Sequence, residues 1–402
     1  REQIGPFTMD HLAWLMGSFI LILDFIIQKF SVRYLIGDRN YRKYFPLFTL
    51  ITSFASIAWL SGDLRLMVLF WGATLLSLTL LIRVNRSWKI PYEAAKVSGK
   101  SFALGWLSLL VAVILLYVAT GNWHINVTLA NDDVITSGMR FIIDMLIVLA
   151  VVVPAAQFPF QSWLIESVAA PTPVSAIMHA GIVNAGGIIL TRFSPVFNDP
   201  LAITILLIIA SISVLLGSGI SLVHVDYKRQ LVGSTMSQMG FMLVQCALGV
   251  YSAAIIHLIL HGVFKATLFL QSGSVVKRFN IPTPPSAKRS YSWVVLGRCL
   301  AIIIAILFWL GSDRSAYEIL SALILAWSLM VSWNQMVAFS RGLIGRVIGI
   351  IMIVIVALVY IVTHHYFYNT LSHVYMNVAH PPLMSVITVS YTHLTLPTSD
   401  LV

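Results

Sequence analysis

The chain has 402 residues, 58% of them hydrophobic and only 10% charged, whereas a soluble domain carries about 25% charge. Apolar runs near 20 residues recur along it, each able to cross a hydrocarbon layer of about 30 Å, so composition excludes a soluble fold and predicts an all-α polytopic membrane protein. The net charge of +10 does not make a nucleic-acid face, because the basic residues sort by loop and meet lipid headgroups instead.

Twelve spans are predicted, near 11–29, 44–61, 64–83, 102–120, 141–163, 173–193, 201–223, 231–250, 253–276, 293–311, 316–339 and 344–366. Residues 1–366 then form a single transmembrane domain and 367–402 a tail. Alternate loops hold nineteen of the 25 Lys and Arg residues, among them Arg39, Arg42, Lys43, Lys96, Lys100, Lys228 and Arg229. The opposite side holds Arg1, Arg65, Arg140, Arg192 and Arg314. The positive-inside rule puts the rich loops in the cytoplasm and the chain in the cell (inner) membrane. Residue 1 is Arg rather than Met, which predicts a truncated N-terminus. The last 18 residues, SVITVSYTHLTLPTSDLV, lack helical periodicity and are expected to be non-native.

Between the spans, 84–101 reads as a short amphipathic surface segment, and 277–292 as a linker whose three prolines preclude a regular helix. Two places break the helical pattern. Pro154 and Pro159 lie five apart inside one span, and Pro171 and Pro173 end one helix and start the next. Proline at bilayer depth frees carbonyls that must be satisfied by protein or by a water-filled cavity, and broken helices mark binding and conduction sites in transporters. Kinks used only for packing have the same signature.

His257, His261 and Lys265 stand four apart in the apolar run AAIIHLILHGVFKATLFL. That spacing puts them on one helix face, about 6 Å of rise apart. A lysine at this depth costs about 2.5–3.5 kcal/mol, so three ionisable groups on one stripe predict a wet proton path; hydrogen bonds across a helix contact are the rival reading. His179, just past the broken helix, is either a fourth member or a packed imidazole. Asp226 and Lys228 mark a cytoplasmic mouth or a snorkelling anchor, followed by Ser234, Thr235, Ser237 and Gln238. Glu166 sits at the opposite end of the broken helix from Asp144, and Asp24 and Asp144 are both expected near span ends. Cys246 and Cys299 read as small hydrophobes, with no metal cluster and no nucleotide or nucleophile motif nearby. The small residues at 186–189 and 217–219 read as close-packing positions.

The stretches AAQFPFQSWLIESVAAPTPVSAIMHAGIVNAGG, DYKRQLVGSTMSQMGFMLVQCALG and AAIIHLILHGVFKATLFLQSGSVV resemble the antiporter-like subunits shared by respiratory complex I and Mrp antiporters. HAGIVNAGG and MGFMLVQCALG are similar to one branch, the DabB family of inorganic-carbon uptake systems. The resemblance implies about 14 helices in all, with inverted five-helix repeats that each hold a broken helix. It also implies a DabA-like partner bearing a zinc site related to β-carbonic anhydrases, with no cofactor in this chain. Ion flow through the membrane subunit would then energise CO2 hydration or bicarbonate accumulation at the partner. Two departures bear on this. Gly72 stands where complex I-type subunits carry an acidic residue after Trp, and Pro154 where they carry lysine. Conduction would therefore rest on His179, His257, His261 and Lys265. The rivals are a true subunit of NADH dehydrogenase or of an Mrp antiporter, and a scaffold that conducts nothing.

Overall fold

The computed structural model describes residues 2–4, 6–85, 88–130, 134–272, 291–311 and 342–371, with single positions between 322 and 337. The linker at 277–292 and the span at 316–339 lie largely outside the described residues, as does the tail beyond 371. The chain divides into two compact units, one built on Arg1–Val276 and the other on Lys277–Asn369.

The first unit opens with an antiparallel hairpin, β1 (Glu2–Ile4) and β2 (Phe7–Met9), a feature absent from the all-α expectation. Six strand residues are too few to register in a hydropathy pattern. Asp10 then caps α1 (His11–Tyr34), its carboxylate accepting from Ala13 N at 2.7 Å. After α2 (Tyr41–Leu60), Asp63 caps α3 (Leu64–Ile82) in the same way, through Arg65 N at 2.8 Å. Next comes α4 (Lys89–Thr120), a continuous helix of 32 residues that ends on Gly121 at φ +68°, the left-handed stop for which glycine is favoured.

That helix corrects the expected surface segment at 84–101, most of which forms the first turns of α4. Pro91 falls in the first turn, where no intrahelical donor is missed, and Glu93, Ala94, Ala95 and Lys96 favour the helix. A short α5 (Ile125–Ala130) leads to α6 (Ser137–Val152). Beyond it the chain is irregular to residue 161, with Ala156 at φ +54° and a cis bond before Pro159. Then follow α7 (Ser162–Glu166), a 3-10 turn at Ser167–Ala169 and α8 (Thr172–Ala180), which carries Pro173 in its first turn. A second 3-10 turn at Ile182–Asn184 separates α8 from α9 (Ala185–Phe193).

Three long helices complete the unit: α10 (Pro200–Val223), α11 (Tyr227–Ala247) and α12 (Tyr251–Gln271). Small residues set their spacing. A Cβ on Gly233 would lie 2.6 Å from Ser221 N and 2.7 Å from Gly217 O, so the α10 and α11 backbones touch. Gly186 and Gly187 likewise face Leu243, Val151 and Met242.

In the second unit α13 (Tyr291–Leu310) and α14 (Gly342–Leu371) share a core around Ala301, Trp333 and Ile353, where Trp333 Nε1 donates to Trp293 O at 2.8 Å.

Among the described residues eight helical segments are long and apolar enough to cross a membrane, including the almost wholly buried Thr172–Phe193. Leu21, Ile22 and Phe25 of α1 and Leu201, Ile208 and Leu215 of α10 are exposed, as lipid-facing residues must be. The protein is a multi-pass membrane protein, and among the described residues its regular structure is helical apart from the N-terminal hairpin.

Candidate functional site

Proline creates the first element of the site. Past α6, Pro154 is buried against Gly105, while Pro159 is exposed. Carbonyls near this break find donors within the protein: Trp163 Nε1 reaches Val153 O at 2.9 Å, and Gln157 N reaches Val152 O at 3.0 Å. Gln157, fully buried, donates its amide to Ala155 O at 2.7 Å and to Met236 O at 3.3 Å, which ties the break to α11. Sequence reasoning passed over Gln157, although a glutamine between two prolines at membrane depth was a usable signal.

Pro171 and Pro173 start α8, and Tyr34 OH at the end of α1 meets Thr172 Oγ1 at 3.0 Å. Asp226 is exposed and caps α11 through Lys228 N and Arg229 N. Lys228 folds back instead of snorkelling free, its Nζ donating to Ala170 O at 3.3 Å, one residue before Pro171. Lys228 thus joins α11 to the start of the broken span, while Asp226 bonds only its own helix. Glu166, at the end of α7, is exposed and stands apart from the buried groups.

Four of the predicted residues come together between α8, α11 and α12. Lys265 has no exposed surface; its Nζ donates to Ser234 Oγ at 2.7 Å and to Leu231 O at 3.3 Å. Among the described residues no carboxylate forms an ion pair with it. His179 is 1% exposed, with Nδ1 3.1 Å from Thr235 Oγ1 and its ring stacked on Phe269 at 4.3 Å. Since Thr235 Oγ1 donates to Leu231 O at 2.9 Å, its oxygen accepts from His179, which fixes the proton on Nδ1 and leaves Nε2 as an acceptor. Neither that Nε2 nor either nitrogen of buried His261 has a hydrogen-bond partner among the described residues. His257, half-buried, lies 6.1 Å from His261 between ring centroids, and its Nδ1 is 3.3 Å from Gln245 Oε1.

The seam therefore runs from Lys228 at one end to His257 and Gln245 at the other. The hydroxyls of Ser234 and Thr235 sit beside Lys265 and His179. A buried imidazole with two idle nitrogens is costly unless water or a moving proton uses them. Such a row of exchangeable groups suits proton relay. Among the described residues no group of three His, Cys, Asp or Glu side chains is placed to hold a metal ion.

Three expectations need correction. Asp144 is wholly buried, its Oδ2 accepting from Asn198 N at 3.1 Å and Asp199 N at 2.8 Å. Asp24 lies in the middle of α1 rather than at its end, because that helix runs more than a turn past the hydropathy boundary near residue 29. Arg192 belongs to no loop: it is buried in α9, paired with Asp10, and donates to Trp59 O at 2.8 Å. Gly72, at the position of the missing acid, is covered by the Trp106 indole, whose Nε1 donates to Val68 O at 2.9 Å.

A family model described as NADH:quinone oxidoreductase/Mrp antiporter matches residues 61–349. The chain is 59% identical, over 96% of its length and 77% of the relative's, to the "Probable inorganic carbon transporter subunit DabB" of Bacillus subtilis (strain 168). It is 56% identical to the protein of the same name from Bacillus anthracis, over 92% of this chain and 72% of that one. In fold it resembles a chain of the Mrp complex from Dietzia sp. DQ12-45-1b, with a TM-score of 0.64 at 24% identity, covering 97% of this chain and 43% of that one.

Proposed function

The chain belongs to the NADH:quinone oxidoreductase/Mrp antiporter family, in its DabB branch, and from that premise we propose that it is the cation-coupled membrane subunit of an inorganic-carbon transporter. The coupling ion in this reading is the proton. One observation carries it: Lys265 is fully buried and held by a hydroxyl and a carbonyl with no counter-ion among the described residues, next to an imidazole with both nitrogens idle. Lysine accepts and releases the proton, His261 and His257 carry it along α12, and His179 connects the broken span. Lys228 and Asp226 shape the cytoplasmic mouth, on the side of the inner membrane that the basic loops face. The energy is delivered to a zinc-bearing, DabA-like partner that hydrates CO2 or accumulates bicarbonate.

The test is co-expression with that partner in cells lacking carbonic anhydrase, grown in ordinary air. Wild type is expected to restore growth and Lys265→Ala to abolish it while both proteins still co-purify. An uncoupler is expected to mimic the substitution. Undiminished growth of the Lys265→Ala strain would reject the role of the seam.

The family model's description favours a second reading, an antiporter-like subunit of an NADH dehydrogenase or Mrp complex. It predicts co-purification with redox or Mrp-type membrane subunits in place of a single zinc protein.

A further inference from the structure

On the far side of the broken span lies a second polar feature. A cavity of about 50 Å³ opens between α1, α2, α3, the jointed α8–α9 span and Leu258 of α12. Its walls are aliphatic and aromatic, and Asp24 is the one ionisable side chain among the residues that line it. Asp24 Oδ2 accepts from Gln28 Nε2 at 2.7 Å and the Thr52 hydroxyl lies close to the carboxylate, but Oδ1 makes no hydrogen bond of ordinary geometry. Thr52, on the α2 wall, gives its hydroxyl proton to Phe48 O at 3.0 Å. Two more lining residues are left incomplete. Asn184, 1% exposed, spends its amide N–H on Ala180 O at 2.7 Å and keeps Oδ1 unpartnered; Trp71, also 1% exposed, has no acceptor for its indole N–H.

A carboxylate oxygen, an amide oxygen and an indole N–H, all unsatisfied around one small space, specify a ligand that both donates and accepts. Water does so, and the cavity has room for about three to five molecules at 10–15 Å³ each. Hard metal cations such as Ca²⁺ and Mg²⁺ want about six oxygen ligands, which these apolar walls do not provide. A carboxyl that gains and loses a proton needs only the water.

We propose that this cavity is a hydrated proton-holding site, in which Asp24 exchanges a proton with water held by Asn184 and Trp71. The site is a second protonatable station, bounded by the α8–α9 span and, through Leu258, by α12, whose opposite side carries the Lys265 seam. His179 and His261 do not line it. Ile177, Gly181, Asn184, Ala185 and Ile188 present the face of the span that does, while His179 addresses α11 and α12. As a part of energy coupling the site rests on the proton-transport reading, but its chemistry can be measured without it.

The experiment is labelling of the purified full-length protein with dicyclohexylcarbodiimide, which attacks protonated carboxyls in apolar pockets, followed by peptide mass spectrometry. Adduct at Asp24 is expected, increasing as pH falls and unchanged by added Na⁺. No adduct at Asp24 at any pH, or protection by Na⁺ at fixed pH, overturns the proposal, the latter in favour of a sodium site. In the carbon-uptake assay Asp24→Asn is expected to lose growth while Asp24→Glu keeps it. Full growth of Asp24→Asn beside a dead Lys265→Ala strain removes Asp24 from the coupling path and spares the seam. Indifference to Lys265→Ala removes the seam, and the labelling result still decides whether Asp24 holds a proton.

Discussion

The buried pair between Asp10 and Arg192 allows the sharpest test of the energetics. Asp10 is 5% exposed and Arg192 7%, so water screens neither charge. Asp10 also caps α1 through Ala13 N, and Arg192 reaches Trp59 O on α2. Asparagine caps a helix as well as aspartate does, so Asp10→Asn isolates the loss of charge. Stranding the guanidinium is expected to cost about 3–5 kcal/mol, which raises the unfolded fraction by roughly 2–3.5 decades. Asp10→Ala adds about 1 kcal/mol for the cap. Removing both charges in Asp10→Asn/Arg192→Met leaves nothing stranded, so the double variant is expected to be more stable than Asp10→Asn alone. Buried Cys246 supplies the assay: in a Cys299→Ser background, a thiol-reactive fluorophore reports its exposure as the protein unfolds in detergent. A cost below about 1 kcal/mol for Asp10→Asn, or strict additivity in the double variant, would refute the argument.

Gly233→Ala is expected to cost about 1–3 kcal/mol by pressing a methyl on the α10 backbone, whereas Gly219→Ala, with open space around it, is expected to gain slightly; the same thiol assay compares them. Thr235→Val removes the partner of His179 and should destabilise by about 1–3 kcal/mol. Ser234→Ala takes one of two acceptors from Lys265 and should slow uptake tenfold or more, a charged hydrogen bond being worth about 1.5–3 kcal/mol; wild-type uptake rates would dismiss the contact. At the loop before α3, the Arg65 guanidinium holds the Asp63 carboxyl below the usual carboxylate range. A folded value below the unfolded one gives stability that is present above about pH 4 and lost as pH falls through the folded value. Asp63→Asn should flatten that acid limb in unfolding midpoints measured from pH 3 to 6.

What the sequence made legible was local. The four-residue spacing of His257, His261 and Lys265 put all three on the buried side of α12, and Pro154, Pro171 and Pro173 marked real helix ends. The errors came from letting hydropathy set boundaries. Helices α1 and α4 run past their apolar stretches, which moved Asp24 to mid-helix and absorbed a supposed surface segment. The interruption at Ile182–Asn184 contains no proline, and only the flanking Gly181, Ala185 and Gly186 and its one asparagine hint at it. Arg192 counts with the charges of one membrane side although it falls inside the predicted span at 173–193. Its partner is 182 positions away, and no local pattern encodes such a pairing.

The contact between Gly217 and Gly233 constrains how the machine can work. With two backbones touching, α10 and α11 form one stiff strut, and Ser234 and Thr235 ride on it as stationary posts. The link from Lys265 to Ser234 can then open only from the α12 side, by rotation of the lysine side chain or by movement of the helix against that strut.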